Sequence, residues 1–226
     1  MQIKEYTTVD KSAWARGPWD GEPDKRQWPD PDTGLPCLAV RGPAGAWCGY
    51  VGVMPGHPWH GKDYDACVSP ELHDDHESDD KGWHYNCTPS GILRAHGGLT
   101  FASGCSELTR ERWEQWRANI EGRENEARQY PRGSVARIMQ ERATELESFE
   151  AWHEYGRATF ICHLPEPGEP DNVWWFGFDC AHSGDLAPKY DGLGGHHFGD
   201  DMYRDLAYVE REVTSLAKQL AAVPTT

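Results

Sequence analysis

One segment limits the fold more than any other: Trp174-Trp175-Phe176-Gly177-Phe178-Asp179-Cys180-Ala181-His182-Ser183-Gly184-Asp185. Its short apolar run reads as a core strand, and the run passes straight into an Asp-x-x-His-x-x-Asp cluster. A strand is a rigid platform, and chemistry is commonly presented on the loop that leaves it. A second stretch has related parts, Leu93-Arg94-Ala95-His96-Gly97-Gly98-Leu99-Thr100-Phe101. Together they predict a site of carboxylates and imidazoles at strand ends.

The rest of the chain supplies a fold to carry such a site. Leu35 to Arg41 and Ala46 to Val53 read as strands joined by the turn Gly42-Pro43-Ala44-Gly45. Leu99 to Ala102, Ala158 to Leu164 and Val173 to Asp179 read as further strands. Trp113, Trp116 and Ile120 recur at helical spacing within 109–128, and Ser134 is a good N-cap for a second helix ending near Gly156. Leu206, Val209, Val213, Leu216 and Leu220 keep a 3-4-3-4 rhythm, which predicts a C-terminal amphipathic helix. The expected fold is α+β: an antiparallel sheet packed with about three helices in one domain over residues 1–226. Within it, 1–35 is expected to be an irregular Trp- and Pro-rich arm, and 66–90 an acidic surface excursion.

Charge narrows the partners. The 226 residues hold 37 acids against 22 bases, a net charge of −15. Such a surface repels a phosphate backbone and anionic lipid, and no basic patch offsets it. Direct nucleic-acid backbone contact and membrane association are therefore not expected. With 11 Trp, 9 Tyr and 6 Phe, the chain has enough aromatic surface to fold despite its charge. Its seven Cys include no C-x-x-C pair, the N-terminus lacks a signal-peptide pattern, and no run of about 18 apolar residues exists. A reduced, cytoplasmic protein is the expectation.

The chemistry is read from residue types. His96, Asp179 and His182 combine imidazole and carboxylate donors suited to Zn, Mn or Fe, with Asp185 as a further ligand or general base. The alternative use of Asp179 is to cap the turn that follows it. Gly97 and Gly98 lack Cβ atoms, so a ligand can approach the backbone closely there, unless they simply form a turn. Lys62 is a candidate for catalysis through binding phosphate or carboxylate, and Asp63 a candidate ligand-binding residue, in the loop His57 to Asp65. Cys180 and Cys105 are weaker candidates as thiolate nucleophiles, since a buried Cys is inert. Phosphate-loop, dinucleotide-loop, H-E-x-x-H and G-x-S-x-G signatures are missing.

Several phrases form a recognisable set: Glu22-Pro23-Asp24-Lys25, Gly34-Leu35-Pro36-Cys37-Leu38, Cys48-Gly49-Tyr50-Val51-Gly52-Val53, His96-Gly97-Gly98-Leu99-Thr100-Phe101, Gly177-Phe178-Asp179-Cys180-Ala181-His182 and Tyr203-Arg204-Asp205-Leu206-Ala207-Tyr208-Val209. On these the chain resembles a family of bacteriophage and bacterial proteins of uncharacterised activity, over about residues 20 to 220. The resemblance implies a phage or prophage setting and hence a bacterial host cytoplasm. The leading expectation is a metal-dependent hydrolase acting on a nucleotide-like or other small polar substrate. The alternative is a non-catalytic phage protein that sequesters a nucleotide ligand or blocks a host defence factor. A third reading takes the acidic surface as a DNA mimic that binds a basic host protein.

Overall fold

The computed structural model describes residues 3–7, 9–42, 44–72, 85–104, 172–190 and 201–224, with scattered positions between 118 and 140. The chain divides into two compact units, Met1–Gly104 with Glu166–Thr226, and Cys105–Pro165. The helices expected over 109–128 and 134–156 fall largely outside the described residues, and so does the strand expected over 158–164.

Among the described residues, six strands form one antiparallel sheet: β1 Lys4–Tyr6, β2 Lys25–Pro29, β3 Pro36–Arg41, β4 Trp47–Val53, β5 Phe101–Gly104 and β6 Trp174–Asp179. Their order across the sheet is β1-β2-β3-β4-β6-β5. Helical elements include the single turn α1, Pro89–Ile92, and the C-terminal helix α2, Leu206–Ala221. The α+β class with an antiparallel sheet and an amphipathic C-terminal helix is therefore the observed fold.

The apolar patterns explain the centre of the sheet. Every residue of β3 and β4 is buried, as are Trp175 to Asp179 of β6. One face packs under α2. Cys37, Ala39, Val51, Phe176 and Phe178 join Val209, Val213, Leu216, Ala217 and Leu220 in a single core. The opposite face, with Leu38, Val40, Tyr50 and Trp175, is buried as well. Burial on both faces is why these strands read as continuous apolar runs and not as an alternation. Gly49 lets the helix approach: a Cβ there would stand 2.5 Å from the Phe178 ring and 2.7 Å from Val213 Cγ2.

The arm expected to be irregular over 1–35 is corrected in part. Lys4–Tyr6 and Lys25–Pro29 pair as strands, and Lys25 to Pro29 ladders onto Val40 to Pro36 of β3. The polar stretch Lys25-Arg26-Gln27 carries no strand pattern of its own; the open edge of β3 supplies the ladder. A hairpin loop joins the two strands, and Asp30 Oδ1 accepts hydrogen bonds from the N–H groups of Asp32 and Thr33 and from the Thr33 hydroxyl.

Part of the acidic excursion, 73–84, lies outside the described residues. Its two flanks are joined by a disulfide between Cys67 and Cys87, so the fully reduced chain expected from cysteine spacing does not hold at this pair. The bond is invisible to spacing rules because its partners are 20 residues apart. Among the described residues, Cys37, Cys48 and Cys180 are buried and form no disulfide. Among the described residues, no helix is long and apolar enough to cross a membrane.

Candidate functional site

Two chain turns converge beside the start of α2. The first follows α1. Leu93 is buried, and the backbone of Arg94 is gripped on both sides by the Gln219 amide: Arg94 N–H donates to Oε1 at 2.8 Å, and Nε2 donates to the Arg94 carbonyl at 2.8 Å. The chain then turns through Gly97 and Gly98, both at positive φ (64° and 90°), and enters the sheet where Thr100 N–H donates to the Gly177 carbonyl. His96 is held between these two anchor points. The second turn leaves β6, where Asp185 N–H donates to the His182 carbonyl and closes the 182–185 turn.

The geometry at their meeting is specific. His96 Nε2 lies 2.7 Å from Asp185 Oδ2, and His96 Nδ1 lies 2.9 Å from the Tyr208 hydroxyl. Asp185 is buried, with 2% of its side chain exposed. It accepts further hydrogen bonds from Arg204 Nε on Oδ1 at 2.8 Å and from the His182 N–H on Oδ2 at 3.1 Å. Burial alone would push the Asp185 carboxyl up. The hydrogen bonds from Arg204, His96 and the His182 N–H outweigh it and hold the carboxyl below its ordinary value. An ionised carboxylate only accepts, so His96 Nε2 carries the proton of that bond, and Nδ1 shares the second bond with the Tyr208 hydroxyl. The arrangement is thus an Asp185–His96–Tyr208 hydrogen-bonded relay.

His182 stands against this relay, its ring centroid 5.6 Å from that of His96. Its Nδ1 is buried and has no hydrogen-bond partner among the described residues. That atom lies 3.7 Å from Asp185 Oδ2 and 3.8 Å from Asp179 Oδ1, beyond hydrogen-bond reach of either. Asp179 is fixed by other contacts: its Oδ2 accepts from the Thr100 hydroxyl at 2.9 Å and its Oδ1 from the Ala181 N–H at 3.2 Å. One ligand atom each from His96, His182 and Asp185 falls within 4.8 Å of the others.

The structure therefore brings together His96, Gly97, Asp179, His182 and Asp185. The space at Gly97 has an internal use. A Cβ there would stand 2.2 Å from His182 Cε1, so the glycine admits the His182 ring and not an outside ligand. A Cβ at Gly98 would meet nothing within 4 Å, so open space remains on that side. Lys62 and Asp63 are not part of the cluster. The Lys62 carbonyl accepts from Trp174 Nε1 at the far end of β6, about 17 Å of strand away from Asp179. Asp63 uses Oδ1 on the Tyr64 N–H. Cys180 is buried, and burial pushes its thiol up, which removes it as a nucleophile. Cys105 lies outside the described residues.

Sequence reasoning missed Tyr208, Arg204, Thr100 and Gln219. Tyr208 and Arg204 had a usable signal, since they flank the first turn of a helix off its apolar stripe. Gln219 had none, because its partner lies 125 positions away. Comparison of the chain with protein-family models, curated proteins and solved structures finds no match.

Proposed function

We propose that His96, His182 and Asp185 hold one divalent transition-metal ion, and that the chain is a metal-dependent hydrolase of a small polar substrate. The observation that carries this reading is the orphaned His182 Nδ1, buried and facing two carboxylates, beside a second imidazole. A cation satisfies all of these groups at once. Mixed imidazole and carboxylate donors suit Zn, Mn or Fe. The outer contacts fit as well, because metal-ligating side chains are usually gripped at their far atoms. Tyr208 holds His96 Nδ1, and Arg204 holds Asp185 Oδ1. A metal held by His96 and Asp185 would take the place of the proton they share, with Tyr208 remaining the outer partner of His96. Such an ion lowers the pKa of bound water and supplies a hydroxide nucleophile near neutral pH. Of the two aspartates, Asp185 is favoured as the ligand, and Asp179 stands at the edge, held by the Thr100 hydroxyl and the Ala181 N–H.

Metal analysis of protein purified without a histidine tag tests the reading. Stoichiometric Zn, Mn or Fe in the wild type, lost in His96→Ala and Asp185→Asn, is the expected result. Trace metal that is the same in the wild type and His96→Ala would sink it. A second reading, a binding module without chemistry, is favoured by one feature: Asp185 is already saturated by Arg204, His96 and the His182 N–H. It predicts release of an intact small molecule on heat denaturation of metal-free protein.

A further inference from the structure

The metal ligands are bordered by two arginines that stand against the charge bias of the chain. Arg204 and Arg211 lie four residues before and three after Tyr208. Their guanidinium carbons sit 5.0 and 5.6 Å from the Tyr208 ring centroid. Arg204 gives Nε to Asp185 and Nη1 to Met202 Sδ at 3.3 Å. Arg211 is exposed, and among the described residues its guanidinium meets the Tyr208 ring and no carboxylate. In a chain with 37 acids to 22 bases, pairing was the easier outcome. Stacking on an aromatic ring orients a guanidinium while leaving its edge donors open. The backbone on both flanks of the cluster also faces open space: a Cβ at Gly98 or at Gly184 would meet nothing within 4 Å.

The geometry points to a phosphate ester as the substrate class of this cluster, with Arg211 as the residue that grips the phosphate and Arg204, packed on the same Tyr208 ring, assisting. The inference rests on the metal-hydrolase reading of the same residues. Phosphate suits the arrangement better than carboxylate. Two guanidinium edges can address several oxygens of a tetrahedral dianion, whereas a carboxylate occupies one edge. Tyr208 gains a double role: its ring positions the arginines, and its hydroxyl holds His96.

Calorimetric titration of inorganic phosphate into the full chain tests this, with acetate as the carboxylate arm. Arg211→Gln is the informative variant, because its exposed position leaves the fold intact. Lys218→Gln is the control, since it removes a positive charge from the same helix where Lys218 pairs with Asp32. Phosphate is expected to bind the wild type and Lys218→Gln alike and to bind Arg211→Gln about tenfold more weakly, with acetate weaker throughout. Equal phosphate binding by Arg211→Gln and Lys218→Gln overturns the inference, and so does acetate binding as tightly as phosphate. Metal content measured on the same samples separates the two readings. Arg211-dependent phosphate binding by protein without metal leaves the phosphate site standing and removes the metal. Bound metal with phosphate binding indifferent to Arg211 does the reverse.

Discussion

Gly97 shows how one missing methyl shapes the site. The volume that a Cβ would occupy at this position is filled by the His182 ring, 2.2 Å from Cε1 and 2.5 Å from Nδ1. Gly98 shares the left-handed backbone but has open space where its Cβ would be. Alanine at either position carries a comparable backbone penalty, about 1–2 kcal/mol for an L residue in that region. Both variants should therefore lose thermal stability, Gly97→Ala more because its methyl also meets the His182 ring, and they should differ in metal retention. Gly97→Ala pushes His182 away from Asp185 and His96, so on the proposed metal reading it is expected to release the ion, while Gly98→Ala keeps it. Metal content after dialysis, read beside the two melting temperatures, checks this. Equal retention would show that His182 is a neighbour of the ion and not its ligand. At this scale the sequence was informative about residue type. His96, Asp179, His182 and Asp185 stood out as titratable groups at strand ends. Their division of labour was hidden, because it depends on which oxygen Thr100 takes from Asp179 and which Arg204 takes from Asp185.

At the scale of elements, α2 and the central strands carry both the core and the site. The helix is anchored on the sheet through Gly49, whose bare Cα lets Val213 and Phe178 meet over β4. Gly49→Ala inserts a methyl 2.5 Å from the Phe178 ring, and overpacking of this kind costs about 1–3 kcal/mol. The expected result is a lower urea midpoint with an unchanged slope, since the fold survives and its packing is strained. A midpoint equal to wild type would mean that the helix rides higher on the sheet than the Val213 contact implies. The same helix supplies Tyr208 near its start and Gln219 near its end, so strain beneath it reaches both grips on the His96 segment. These elements were legible in the amino-acid pattern for a physical reason. The stripe from Leu206 to Leu220 and the runs in β3, β4 and β6 bury their side chains, and burial writes hydrophobic periodicity. β1 and β2 were not legible, since Lys25-Arg26-Gln27 forms a strand only because β3 offers it a ladder.

At the scale of the molecule, the N-terminal arm is fastened to the rest by charge. Glu22 Oε2 accepts from Arg41 Nη2 at 2.5 Å, from Trp47 Nε1 at 3.2 Å and from the Tyr203 hydroxyl, while Oε1 accepts the Leu206 N–H at the start of α2. One carboxylate therefore ties together the arm, the β3–β4 pair and the C-terminal helix. Arg41 is fully buried and also lies 3.3 Å from Asp24, which Lys11 reaches at 2.8 Å. Removing Glu22, which is partly exposed, leaves the buried Arg41 with Asp24 alone and the Trp47 and Leu206 N–H groups without their acceptor, at a cost of about 1–3 kcal/mol. Glu22→Ala is expected to lose that amount at neutral pH and to loosen the arm, as read by proteolysis ahead of global unfolding. The pH dependence carries a sign. Burial raises the Glu22 carboxyl, but the hydrogen bonds from Tyr203, Leu206 N–H and Trp47 and the charge of Arg41 outweigh it, so its folded pKa lies below the ordinary value. A lowered carboxyl stabilises the fold above the unfolded pKa, about 4.3 for Glu, and that contribution is lost as pH falls through the folded value. Glu22→Gln keeps an acceptor without the charge, so the gap between it and the wild type should be widest above pH 5 or so and close on acidification. Denaturation midpoints of the two proteins across that range decide the matter. A gap that stays constant into strong acid would assign the loss to packing and remove the carboxylate as the clasp.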